Sequence, residues 1–159
     1  MYVKEQTGLT APTPAAEFVE FFAEAWRSGG ADPERFFAEI GSRMTPTTRL
    51  VQPLARTVRG PEGLRELFTP LFAAIPDLRS RVERWGATED GVLIEHTLHG
   101  TLGGRPINWS LVDRFILRDG FFEERRAYFD PLPLALVLLS RPRASFKLLP
   151  AMFKRRETK

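Results

Sequence analysis

His96 and Asp113 each interrupt an otherwise apolar strand face, and an acid beside an imidazole is the least that metal-free proton transfer needs. In "VLIEHTLHG", Val92, Ile94, His96 and Leu98 alternate with Leu93, Glu95, Thr97 and His99. In "INWSLVDRF", Ile107, Trp109, Leu111, Asp113 and Phe115 alternate with Asn108, Ser110, Val112 and Arg114. A period of two puts each set on one side of a strand. If the turn between them centres on Leu102–Gly104, Leu98 falls opposite Trp109, His96 opposite Leu111 and Ile94 opposite Asp113. That register keeps the apolar sides together and makes His96 and Asp113 diagonal neighbours, about 7–8 Å apart at the backbone. One reading of the pair is a catalytic acid and base in an apolar cavity. The other is structural. Arg125 falls opposite Asp113 if "RDG" turns as a three-residue loop, and Arg126 if "DG" turns as two; either could hold Asp113 as a buried ion pair.

Other polar signals carry less. In "EERRAYFDPLPLALVLLSRP", Asp130 precedes Pro131 and an apolar run, as Asp32 precedes Pro33. A carboxylate followed by proline is a helix start, so Asp130 is read as a cap and not as a catalytic group. His96 and His99 in "HTLH" point to opposite sides of a strand and cannot share a metal. "GTLGG" joins two strands and opens no helix, which makes it a turn and not a phosphate cradle. Asn108-Trp-Ser is a glycosylation sequon only in a secreted protein.

The elements that must position these residues follow from the rest of the chain. Its 159 residues, 43% of them hydrophobic and 13 of them Phe, suit one domain with a sizeable core. With no Cys there are no disulfides or thiolate metal sites. The opening "MYVKEQTGLTAPTPAAE" has no apolar signal stretch, and "LPLALVLL" is too short to span a bilayer, which predicts a cytoplasmic protein. Residues 141–159 carry seven Lys/Arg against one Glu, so the net charge of +3 is a basic tail on a mildly acidic body. That is not the footprint of a nucleic-acid-binding domain.

Thr13-Pro14 and Asp32-Pro33 predict two helices, with Phe18, Phe22, Ala25 and Trp26 on one stripe of the first. "TRLVQPL" reads as a short strand ending at Pro53, and Gly60-Pro61 opens a third helix whose stripe includes Leu64, Phe68 and Phe72. From Asp77 the period changes to two, which predicts strands at 78–86, 91–100, 106–117 and 121–129. Helices first and a strand meander later give an α+β domain, an antiparallel sheet curled over helices. Its expected limits are 13–140, between an N-terminal arm at 1–12 and the tail at 141–159.

The order helix–helix–strand–helix–meander, with "RGPEGLRELFTPLFAAIPDLR" and "GTLGGRPINWSLVDRFILRDGFFEERRAYFDPL", resembles the nuclear-transport-factor-2-like superfamily. Within it the sequence is similar to SnoaL-like polyketide cyclases, ketosteroid isomerases and limonene epoxide hydrolases. The resemblance implies a cone-shaped curved sheet around an apolar pocket. It also places those enzymes' catalytic positions. The isomerases' base falls on Gln52, and the epoxide hydrolases' Arg-x-Asp pair falls on His96 and Leu98, with Ala127 in the third place. Neither set of catalytic residues is retained. Gln52 can orient a water or a carbonyl but cannot act as a base.

The expected pocket therefore holds Gln52, His96, Asp113 and Arg125, walled by Trp109, Leu111, Phe129, Phe72 and Trp26. It calls for an apolar small molecule bearing one or two oxygens, with no cofactor and no metal. Two functions compete: a metal-free cyclase, isomerase or hydrolase using His96 and Asp113, and a non-catalytic ligand-binding or dimerisation module. A homodimer is expected. In the tail, Phe146, Leu149 and Phe153 share a face beside basic residues, which predicts packing on the fold or a partner, or contact with anionic membrane.

Overall fold

The computed structural model describes residues 13–148. The expected N-terminal arm and the end of the tail, with Leu149 and Phe153, lie outside them.

Three helices open the chain: α1 (Pro14–Ser28), α2 (Pro33–Gly41) and, after two short strands, α3 (Gly60–Ala74). The first two start as their sequences dictate. Thr13 Oγ1 accepts from the Ala16 amide at 3.2 Å, Asp32 Oδ1 accepts from the Arg35 amide at 3.2 Å, and proline follows each cap. Phe18, Phe22 and Trp26 lie on the buried stripe of α1. They meet Phe36 and Phe37 of α2 and Phe68 and Phe72 of α3 in a continuous aromatic core.

The short strands are β1 (Arg49–Val51) and β2 (Val58–Arg59), and the meander is β3 (Arg79–Thr88), β4 (Gly91–Leu102), β5 (Arg105–Arg118) and β6 (Phe121–Tyr128). They form one sheet in the order β2-β1-β6-β5-β4-β3. The meander is antiparallel, as its hairpins require, but β1 runs parallel to β6, with Leu50 beside Arg125 and Val51 beside Arg126. No hairpin links these two strands, so nothing local sets their direction. β2 is an addition to the expected strands: two residues are too few for alternation to show.

The β4–β5 register is the expected one, with Leu98 opposite Trp109, His96 opposite Leu111 and Ile94 opposite Asp113. A two-residue Gly103-Gly104 turn fixes it, both glycines having positive φ (60° and 74°). The β5–β6 register is neither of the two expected. Asp119 and Gly120 do form a two-residue turn, both with positive φ, but a bulge follows and Ile116 pairs with Glu124 where Glu123 would otherwise stand. Asp113 then lies opposite Ala127, and Phe115 opposite Arg125. One extra residue changes which arginine shares a side with Asp113. Arg125 points inward, and Arg126 reaches Glu124 instead (3.0 Å).

After β6 the chain enters α4 (Pro131–Ser140), α5 (Pro142–Ser145) and a single 3₁₀ turn at Phe146–Leu148. Asp130 is the α4 cap, its Oδ1 accepting from the Leu132 amide at 3.0 Å. Asp130→Ala should therefore cost about 1 kcal/mol in thermal unfolding, with ligand binding intact. Full stability combined with lost binding would show that Asp130 does something else. Packing continues past Ser140. Arg141 Nη1 donates to the carbonyls of Leu102 and Arg105, and Ser145 Oγ donates to the Leu138 carbonyl.

Candidate functional site

Between α3, the inner side of the sheet and α4 lies a cavity of about 110 Å³, on the scale of roughly 10–15 Å³ per water, room for several. Leu67, Phe68, Leu71 and Ile75 of α3 form one wall, and Leu98, Ile107, Trp109 and Leu111 form the sheet wall. Phe129 continues that wall, and Leu134 and Leu138 of α4 cover it together with Leu148. Pro53, Leu54 and Ala55 complete the rim. Leu54 holds a left-handed backbone (φ 63°), uncommon for a residue with a branched side chain.

The lining is apolar except for Gln52, Arg125 and the indole N–H of Trp109. Among the described residues Arg125 is the only charged one in it, and its own exposure is 6%. The guanidinium is fixed from three directions. Its Nε donates to Asp113 Oδ2 at 2.8 Å, its Nη1 donates to Gln52 Oε1 at 3.0 Å, and the group lies over the Phe68 ring at 5.7 Å. Five N–H donors serve an arginine, so two such bonds leave others for a ligand.

Behind Arg125 the polar chain continues into the core. His96 Nε2 lies 3.2 Å from Asp113 Oδ2, and His96 Nδ1 lies 2.7 Å from Ser80 Oγ. An ionised carboxylate only accepts, so Nε2 carries a proton and donates to Asp113 Oδ2. The ring is held edge-on by Phe22, with centroids 5.1 Å apart. His96 is 0% exposed and Asp113 1%, and Asp113 Oδ1 has no hydrogen-bond partner among the described residues.

Burial alone would raise the Asp113 pKa, but the Arg125 charge and the bonds from His96 and Arg125 outweigh it and hold the carboxyl below its ordinary 3.8. The sign for stability follows. The folded state binds this proton less readily than the unfolded chain, so the contribution of Asp113 is fully present above pH 3.8. It is lost as the pH falls below that value towards the folded pKa. Unfolding in urea at stepped pH should show this acid loss, and Asp113→Asn should flatten it. An unchanged acid slope in that variant would exclude Asp113 as its source.

A model of the SnoaL-like domain matches residues 18–124. The chain belongs to this family. Known structures carry the same fold. A protein assigned as a SnoaL-like polyketide cyclase from Jannaschia sp. CCS1 is 21% identical with a TM-score of 0.65, over 94% of this chain and all of that one. An LEH-like epoxide hydrolase of M. tuberculosis is 21% identical with a TM-score of 0.62, over 87% of this chain and 98% of that one. TerC, crystallised with polyporic acid, is 20% identical with a TM-score of 0.66, over 80% of this chain and 99% of its own. No curated protein matches.

In this SnoaL-like domain the residues expected at the pocket separate into two groups. Gln52, Trp109, Leu111, Arg125 and Phe129 line the cavity together. His96 and Asp113 share its side of the sheet but do not line it; Arg125, which does, is bonded to Asp113. Trp26 and Phe72 do not line it: both are 3% exposed and pack against Phe36 and Phe68 in the helical core. On α3, Phe68 and not Phe72 reaches the cavity. The α3 stripe is wide enough to serve two spaces at once, and its spacing does not say which residue serves which. Ser80 was missed as the partner of His96. Its signal was a lone hydroxyl at an inward position of "RSRVERW", beside Val82.

Proposed function

We propose that this SnoaL-like domain binds an apolar small molecule by an oxygen or acidic group that accepts from Arg125, with Gln52 as its second polar contact. The observation that carries this is the one cation that the described residues place in an apolar lining, pre-oriented by Asp113 and still able to donate into the cavity. Burying the ring system of such a ligand supplies affinity, and the guanidinium selects the oxygen end. A protein of the same fold points the same way: TerC was co-crystallised with polyporic acid.

Acid–base catalysis has weaker support. It asks His96 or Asp113 to touch the substrate, and both are buried and outside the cavity lining. Asp113 is also neutralised by Arg125, the feature that distinguishes an ion-pair role from a general base. The chain Ser80–His96–Asp113–Arg125 acts here to position the guanidinium.

Calorimetry with naphthoate and with the corresponding uncharged naphthalenemethanol tests this reading. A charge-assisted bond is worth about 1.5–3 kcal/mol, so naphthoate should bind about 10–100-fold more tightly than the alcohol. The preference should vanish in Arg125→Met/Asp113→Asn, which removes both members of the ion pair and leaves no stranded charge. Equal binding of the two probes by the parent protein would refute it.

A further inference from the structure

The helix that covers the cavity has a second apolar side on which no described residue packs. Leu134 and Leu138 of α4 face the cavity. Leu132, Leu136 and Leu139 follow one another at helical spacing along the outer side and are 61%, 58% and 76% exposed. A solvent-facing helix ordinarily puts charge on that side, and α4 carries none. The apolar character continues into the next turns, where Phe146 is 71% exposed. At 10 residues α4 is half the length a bilayer span needs, and no described helix is long and apolar enough to cross one.

Charge identifies the partner. From Pro131 to Leu148 the sequence holds Arg141, Arg143 and Lys147 and no Asp or Glu. Arg141 is engaged by hairpin carbonyls, but Arg143 is exposed and has no carboxylate partner among the described residues. Beyond Leu148 come Lys154, Arg155, Arg156 and Lys159 against Glu157. The body up to Ser140 is net negative, so the net positive charge of the chain belongs to the sequence that follows the exposed leucines. Leucines with cations at their border match an anionic lipid surface, where apolar side chains enter the acyl boundary and cations meet the headgroups.

We propose that the outer side of α4 docks this protein on an anionic membrane surface. The same helix covers the cavity, so docking places the cover of the binding site against the bilayer. An apolar ligand could then exchange between lipid and cavity without crossing water, a consequence that rests on the ligand-binding reading above.

The test is sedimentation of the full chain with vesicles of phosphatidylcholine alone, and with vesicles of phosphatidylcholine and phosphatidylglycerol in equal parts. The protein should pellet with the anionic vesicles at low salt and be released as salt rises. Leu136→Gln/Leu139→Gln should lower the bound fraction about tenfold or more with the melting temperature unchanged, and should still bind naphthoate in solution. Failure of the parent to pellet at low salt overturns the proposal. So does a double variant that pellets as well as the parent, because the basic tail alone would then account for binding. So does a parent dimer that the double variant converts to monomer, because a second copy would then be what covers the leucines. Lost naphthoate binding by the parent with vesicle binding intact would remove the ligand-binding reading and leave the docking surface standing.

Discussion

Arg125→Met should destabilise the protein by about 3–5 kcal/mol, because it leaves Asp113 as an unpaired carboxylate in the core. Asp113 is 1% exposed, and the Arg125 side chain 8%, so solvent cannot replace the missing partner. Against a total stability of about 5–15 kcal/mol, such a loss could unfold the chain. The second substitution separates the pair from the fold. Arg125→Met/Asp113→Asn removes both charges and should recover much of the loss, since buried ion pairs contribute little net stability over neutral replacements.

The pH dependence gives the same prediction an independent readout. In the parent, acid removes the contribution of Asp113, whose carboxyl is held below its usual range. In Arg125→Met the lowering effect of the guanidinium is gone, so the carboxyl pKa rises and acid removes less of the remaining stability. The slope of stability against pH should therefore flatten at acid pH. Urea denaturation of the three proteins measures both effects. A single variant within about 1 kcal/mol of the parent, or a double variant no better than the single, would mean that the ion pair is not what holds Asp113.

Trp26→Ala should cost a similar amount for an unrelated reason. Trp26 is 3% exposed and packs against Phe36 at 4.8 Å between ring centroids, Phe68 at 5.8 Å and Phe72 at 6.2 Å. Truncation leaves a hole among rings that cannot all close on it, which costs about 3–5 kcal/mol. Trp26 does not line the cavity, so any variant that remains folded should bind naphthoate with the parent's affinity. Weakened binding at unchanged stability would restore Trp26 to the ligand wall. The comparison matters because sequence spacing made Trp26 look like either.

Much of the framework was local and therefore legible. Thr13, Asp32 and Asp130 each precede a proline, and each caps a helix because a carboxylate or hydroxyl oxygen and a fixed φ act within one turn. The β4–β5 register followed from two alternating strands and a glycine pair, because only one parity keeps both apolar sides inward. The α+β architecture and the family followed from the same patterns.

The site needed more than pattern. A bulge at Glu123 determines that Arg125 and not Arg126 meets Asp113, and β6 alone gives no sign of it. A parallel pairing with β1 brings Gln52 to the same guanidinium across 73 residues of sequence. The packing of α3 sends Phe68 to the cavity and Phe72 to the core, although both lie on one helical stripe. The sequence by itself determined which residues are inward, because inwardness is a matter of period along one strand or helix. Which inward residues share a cavity was decided only by the tertiary structure, because that depends on how separate elements are offset against one another. By that offset Arg125 lines the cavity, and His96 and Asp113 do not.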